Sequence, residues 1–375
     1  MKRLLGLVGA LALVTADVSA ADLPNQIAWT AYDVGSSGYG QAIAIGAALK
    51  NKKGITLRVL PGKNDVSRLV PLREGKVDFS AFGIGGFHAM EGTQVFGMRD
   101  WGPQPIRLLA MSKSDACNTI LLADDKGMRT FHDLKGKRLP LVRGAPALNE
   151  IVYAFLRFAD LTWDDVEVVE FGGNAASLDG IVEGQVDGAA AVTTSGFATK
   201  IAASPRGLYH APVPHDDEEG WARLRAIGPW FLKATCREGA GIIKPYEGAN
   251  YPYPILIAYP EKDEEMVYQM TSVLFELFPE YRDAAPGASG WALERQALDW
   301  VMSFHAGAIR YYREQGMWTE EHQAMQDERL AREKVLLDAW EAYRASPEDQ
   351  FEKGWMKARA EALSDAGLEP IWTEW

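Results

Sequence analysis

The sequence predicts an α/β protein of two similarly built lobes, and three observations carry that prediction. The first is an internal echo. GITLRVLPGKNDVSRLVPLREGKVDFSAF, starting at Gly54, and DVEVVEFGGNAASLDGIVEGQVDGAAAV, starting at Asp165, pass through the same order of features. Each opens on a strand pattern rich in β-branched residues and reaches a glycine turn at Gly62 or Gly172. Asn64 or Asn174 follows, three residues before Ser67 or Ser177. A helix pattern then ends at Glu74-Gly75 or Glu183-Gly184, and Val77-Asp78 or Val186-Asp187 leads into a buried strand. Asparagine at a helix start accepts from a free N–H, and glycine just past the end adopts the left-handed conformation. The second observation is that strands alternate with helices at spacings that suit parallel βαβ units. The third is length: 375 residues exceed one usual domain, so two copies of one unit describe two lobes.

The same grammar orders the remaining elements. Residues 27–31 read as a strand, 34–38 as a turn and 41–49 as a helix. A strand at 138–142 is followed by the turn Arg143-Gly144-Ala145-Pro146, and Pro146 suits a first helical turn. A strand at 188–192 leads through Thr193-Thr194-Ser195-Gly196 into another helix. Five strand-to-helix turns are therefore small and polar: 35–38, 62–67, 143–146, 172–177 and 193–196. In open α/β sheets such turns gather at the carboxyl ends of the strands, where ligands bind. Their free N–H groups and positive helix ends favour a carboxylate or another anion. Ordinary capping explains any one turn; five on two facing lobes predict a ligand cleft.

Composition narrows the function. Hydrophobic residues make up 47% and charged residues 24%, as in ordinary soluble domains. A net charge of −12 argues against nucleic acid and anionic lipid as partners, since both need a basic surface. The N-terminus has Lys2 and Arg3, an apolar run from Leu4 to Val14 and the small residues Val18-Ser19-Ala20, the layout of a secretory leader over 1–21 cleaved after Ala20 or Ala21. A periplasmic location is the expectation. Cys117 and Cys236, the only cysteines, form a disulfide in an oxidising compartment or remain two buried thiols.

Catalytic signatures are sparse. The six histidines are scattered, with no HExxH, no G-x-S-x-G elbow and no P-loop, and GIGGFH at 83–88 lacks the order of a dinucleotide fingerprint. No cofactor, metal set or catalytic residue is predicted. A transferase or lyase on the same scaffold, using Arg143 and His88, is the enzyme alternative.

At these residues the chain resembles the TAXI family of solute-binding proteins, the periplasmic receptors of TRAP transporters. The matching features are the strand, turn and helix at 27–49, PGKNDVSRLVPLREGKVDFSAF at 61–82 and FHDLKGKRLPL at 131–141. LTWDDVEVVEFGGNAASLDGIVEGQVDGAAAV at 161–192 and YEGANYPYPILIAYP at 246–260 complete the series. The resemblance implies a type II periplasmic binding protein fold: one lobe from 22–112 with 237–310, a second from 113–236, and hinge crossings near 111–114 and 234–239. That places Cys117 and Cys236 near adjacent crossings and favours the disulfide. It also implies a small organic acid as ligand, an amino acid or dicarboxylate first, and a TRAP membrane permease as partner. An ABC-type receptor of the same fold is the transport alternative.

The expected ligand-binding residues follow. Ser36, Ser37 and Gly38 offer hydroxyls and N–H groups, with Lys63, Asn64 and Ser67 on the neighbouring turn. From the facing lobe, Arg143 offers a bidentate pair to a carboxylate, unless it is a solvated surface arginine. Asn174, Ser177, Thr193, Thr194 and Ser195 complete the second wall. Phe82, Phe87 and His88 cover an apolar ligand portion or serve as core and rim, and Tyr251 with Tyr253 lines the hinge. Residues 311–375 are charged and helical, with Leu330, Val335, Leu336 and Trp340 at helical spacing. This C-terminal helical extension is expected to pack on the first lobe of a monomer, or to form a dimer or permease contact.

Overall fold

The computed structural model describes residues 23–373 except 348. The leader predicted over 1–21 lies outside the described residues. The first lobe starts with β1 (Gln26–Tyr32), α1 (Ser37–Lys53), β2 (Thr56–Gly62), α2 (Asp65–Arg73), β3 (Phe79–Phe82), α3 (Gly85–Glu91) and β4 (Arg107–Met111). The chain then enters the second lobe: β5 (Asn118–Ala123), β6 (Arg138–Val142), α4 (Pro146–Phe158), β7 (Glu167–Phe171), α5 (Asn174–Val182), β8 (Gly188–Val192), α6 (Gly196–Ala202), β9 (Leu208–Tyr209) and α7 (Glu218–Ile227). An antiparallel ribbon of β10 (Leu232–Cys236) and β11 (Tyr246–Asn250) leads back to β12 (Ile255–Ala258). Helices α8 (Glu264–Glu276), α9 (Phe278–Tyr281), α10 (Ala306–Glu314), α11 (Glu320–Tyr343) and α12 (Phe351–Asp365) follow.

The first sheet has the order β2-β1-β3-β12-β4, with β1 parallel to β2 and β3, and the returning β12 antiparallel to β3 and β4. β3 (FSAF) and β4 (RLLAM) are buried along their whole length and are mostly apolar, as central strands covered on both faces are. In the second lobe β5 pairs antiparallel with β8 and β9, while β6 and β7 form a parallel pair. A bond from the Asp187 N–H to the Arg138 carbonyl (2.8 Å) ties those two groups together. This is the two-lobed α/β arrangement that the sequence predicts.

Local chemistry sets the helix starts. Ser36 accepts from the Tyr39 N–H to cap α1, and Asn64 and Ser67 make a reciprocal capping box at α2. Pro146 opens α4, where its missing N–H costs nothing.

Cys117 and Cys236 are joined by a disulfide between the start of β5 and the end of β10. Gly248, across the ribbon, leaves room for it: a Cβ there would stand 2.1 Å from the Cys236 sulfur.

The C-terminal helices dock on the first lobe. Arg107 makes a bidentate pair with Glu333 (2.6 and 2.7 Å), and Gln326 bonds both backbone groups of Phe304 (2.9 Å each). Glu91 at the end of α3 takes Arg332 (2.6 and 2.8 Å) and Arg359, and these partners hold its carboxyl below the usual range despite burial. Trp340 and Trp355 are spent on this docking and are buried. No helix among the described residues is long and apolar enough to cross a membrane.

The disulfide spans 119 residues, so its removal frees a long loop in the unfolded chain. Cys117→Ser with Cys236→Ser is expected to lower the unfolding free energy by about 2–5 kcal/mol in urea titrations.

Candidate functional site

The five small, polar turns meet face to face between the lobes. The Gly35 carbonyl accepts from the Gly196 N–H (2.9 Å), the Lys63 carbonyl from the Asn174 N–H (2.9 Å), and the Gly144 carbonyl from the Val66 N–H (3.2 Å). Asn64 Nδ2 donates to the Arg143 carbonyl (2.9 Å), and the Ser37 and Thr194 hydroxyls pair at 3.1 Å. Two first-lobe carboxylates finish the seam. Asp65 Oδ2 accepts from the Ala147 N–H at the start of α4 (2.9 Å), and Asp33 Oδ2 from the Ala175 N–H at the start of α5 (3.0 Å). Backbones this close require small residues. Gly35 has φ +98°, and a Cβ there would stand 3.3 Å from the Phe197 ring.

Asp65 also anchors the first lobe. Its Oδ1 accepts from the Tyr32 hydroxyl (3.0 Å) and from Arg68 Nη2 (2.5 Å). Arg68 donates a second bond to the Ala81 carbonyl (3.0 Å), and its guanidinium lies 3.5 Å from the Tyr32 ring centroid and 4.1 Å from that of Phe82. Both charged side chains are 0% exposed. Burial, then the Asp65 charge, holds the Tyr32 hydroxyl well above its ordinary pKa. Gly85 makes space for the carboxylate: a Cβ there would sit 2.5 Å from Asp65 Cγ.

A cavity lies beside this seam, with about 40 Å³ free to the centre of a water-sized sphere. That is room for a few water-sized groups. Tyr32, Ser36, Ser37 and Tyr253 line the first-lobe side; Leu148, Ile151, Leu178 and Phe197 make the second-lobe side apolar. Asn174 and Tyr251 also face it, 5% and 3% exposed. Among the described residues, neither the Asn174 amide nor the Tyr251 hydroxyl makes a hydrogen bond, and both open on the cavity. Burial pushes Tyr253 up to about 12 and Tyr251 well above its ordinary value, so both phenols remain protonated. The cavity thus offers neutral donors and an apolar wall. Among the described residues, no set of three or more His, Cys, Asp or Glu side chains gathers to hold a metal.

Of the residues predicted from sequence, Ser36, Ser37, Asn174, Ser195 and Tyr251 line this cavity. Gly38 packs against the Tyr253 hydroxyl, 2.9 Å from where its Cβ would be. The others have different work. Lys63, Asn64, Ser67 and Thr194 belong to the seam or its caps, and Ser177 bonds the Asn174 carbonyl (2.8 Å). Thr193 links the Cys117 N–H (3.1 Å) to the Glu238 carbonyl (2.6 Å) at the hinge. Arg143 does form a two-pronged contact, but with Glu170 (3.0 and 2.5 Å), and its side chain is 74% exposed. Phe87 and His88 lie outside the cleft, packed on Trp230 and Trp372. His88 is neutral, its pKa pushed down to about 3 by burial and then by the Arg359 charge.

Sequence reasoning missed Tyr32, Asp33, Asp65 and Arg68. Asp33 and Asp65 adjoin two of the five turns, and acidic residues suit helix starts, so their position was a usable signal. That they would cap helices of the opposite lobe was not written in either segment.

The seam and cavity define a two-lobed protein with an interlobe cleft. The chain belongs to the NMT1-like family, whose model matches residues 34–316. No curated protein matches it. Among solved structures it is similar to the alkanesulfonate-binding protein SsuA from Xanthomonas axonopodis pv. citri bound to MOPS (14% identity, 88% of this chain and 96% of that one, TM-score 0.45). It is also similar to an ancestral arginine-binding protein bound to glutamine (14% identity, 70% and 96%, TM-score 0.42). A periplasmic binding protein of an ABC transporter from Brucella ovis with glutathione bound is a further likeness (11% identity, 93% and 82%, TM-score 0.43).

Asp65→Ala leaves Arg68 charged, buried and unpaired and uncaps α4, so it is expected to cost about 3–5 kcal/mol of unfolding free energy. A double-mutant cycle with Arg68→Ala checks the cause: the two losses should be strongly less than additive.

Proposed function

We propose that the protein is an extracytoplasmic solute receptor that closes two lobes around a small organic acid and delivers it to a TRAP-type membrane permease. One observation carries this reading: a cavity walled by both lobes onto which neutral hydrogen-bonding groups of two buried residues, the Asn174 amide and the Tyr251 hydroxyl, open without a hydrogen bond to the described residues. Polar groups that open on a largely apolar cavity fix the orientation of a ligand's polar head. The rest of the ligand meets Leu148, Ile151, Leu178 and Phe197.

This refines the ligand class. The second-lobe helix starts already hold Asp33 and Asp65, which repel further carboxylates, and Arg143 is occupied outside the cleft. A monocarboxylate with a compact apolar body fits these walls better than a dicarboxylate or a zwitterionic amino acid. Because such a ligand touches both lobes only when they are closed, it shifts the population towards closure, which is the state a permease would read. Membership of the NMT1-like family does not specify a transporter class, so an ABC-type permease is the second reading of the partner.

The test is a thermal-shift screen of the mature protein against monocarboxylates, dicarboxylates, amino acids and sugars. A saturating ligand stabilises the native state by mass action, about 2.7 kcal/mol at a hundred times its Kd. Monocarboxylates should raise the midpoint, and Asn174→Ala with Tyr251→Phe should abolish the rise. A response confined to neutral solutes would remove the acid from the proposal. Turnover of the responding compound would replace the receptor by the enzyme reading.

A further inference from the structure

A second, larger cavity lies where three parts of the chain meet, with about 430 Å³ free by the same measure. Gln94 of the first lobe, Glu150, Tyr153 and Trp163 of the second, and Trp372 of the C-terminal segment face it. The receptor reading makes no use of it.

Glu150 is its distinctive group. The residue is 8% exposed, and its Oε1 accepts from Gln94 Nε2 of the opposite lobe (2.7 Å). Gln94 holds that position with a φ of +54°, a conformation that costs a non-glycine residue energy and persists where the surroundings enforce it. Among the described residues, the other carboxyl oxygen makes no hydrogen bond and no cation lies within ion-pair distance of Glu150. Arg359, whose charge acts on His88, is committed to Glu91 and to the carbonyls of Pro370 and Trp372 (3.0 and 2.9 Å). Nε2 of His88, on the same cavity, is buried without a partner among the described residues. Aromatic surface flanks these groups. Tyr153 and Trp163 lie nearly parallel, 7° apart, and Trp372 stacks on His88 at 4.8 Å.

An under-bonded carboxylate beside aromatic faces attracts an ammonium group, which gains a charge-assisted hydrogen bond and a cation–π contact together. The rings then accept the ligand's apolar stem. We propose that this cavity is a binding site for a small organic ammonium ion, its charged head on Glu150 and its body against Trp163 and Trp372. Its walls come from both lobes and the C-terminal segment, so occupancy is linked to lobe closure. Burial raises Glu150 to about 7, so the measurement belongs at pH 8, where the carboxylate is ionised.

The experiment titrates benzylamine and, separately, benzyl alcohol into the mature protein at pH 8, read by calorimetry and tryptophan fluorescence. Benzylamine should bind at least about tenfold more tightly than the neutral alcohol, and Glu150→Gln, which keeps an oxygen for Gln94, should erase that preference. Trp163→Ala should weaken benzylamine binding on its own, which tests the site if the Glu150 variant does not fold. No benzylamine binding, equal affinity for both compounds, or a preference that survives Glu150→Gln overturns the proposal.

Discussion

The structure depends on one requirement: the free N–H groups at the starts of α4, α5 and α6 must be satisfied inside a closed interface. The first lobe serves them, with Asp65, Lys63, Asp33 and Gly35 as acceptors. Asp65 is the centre of this arrangement. One of its oxygens is bound by Tyr32 and Arg68 within its own lobe, and the other reaches across to Ala147. The same carboxylate therefore organises the first-lobe wall and sets how closely the second lobe approaches. The small volume and neutral lining of the cleft follow from that closeness.

The two lobes are held together by two sets of contacts. One is the seam of turns beside the small cavity. The other runs through Gln94–Glu150 and the C-terminal segment, which is fixed to the first lobe by Glu91 with Arg332 and Arg359 yet bonds the second lobe through Trp372 Nε1 and the Ile227 carbonyl (3.2 Å). The extension thus bridges both lobes. Under the receptor reading, opening the lobes would break some of these contacts, and a ligand would offset that cost only by touching both walls.

Much of the fold was legible because it is local. The echo between the segments at Gly54 and Asp165 announced two βαβ units, and Asn64 with Ser67 announced a cap that the structure contains. Five of the predicted contact residues, Ser36, Ser37, Asn174, Ser195 and Tyr251, do face the cleft. The rest of the site was hidden because it depends on what the opposite lobe supplies. The turns looked like anion sites, since a helix start with small residues has the same sequence whether its acceptor is a ligand or a distant aspartate. Arg143 looked like a ligand for a carboxylate, and its carboxylate is Glu170 on the adjacent strand. Phe87 and His88 follow a strand end as cleft residues do, but α3 carries them away from the small cavity, to where Trp230 of the second lobe and Trp372 of the C-terminal segment cover them.

The central claim is that a small solute is held by both lobes at once, on groups that the protein leaves unpaired. A crystal structure of the mature protein with the acid that most raises its midpoint tests this most directly. The account predicts the carboxylate within hydrogen-bond distance of Asn174 Nδ2 and the Tyr251 hydroxyl, with the apolar body against Phe197 and Ile151. An acid bound to one lobe only, or bound outside the interlobe cavity, would contradict it.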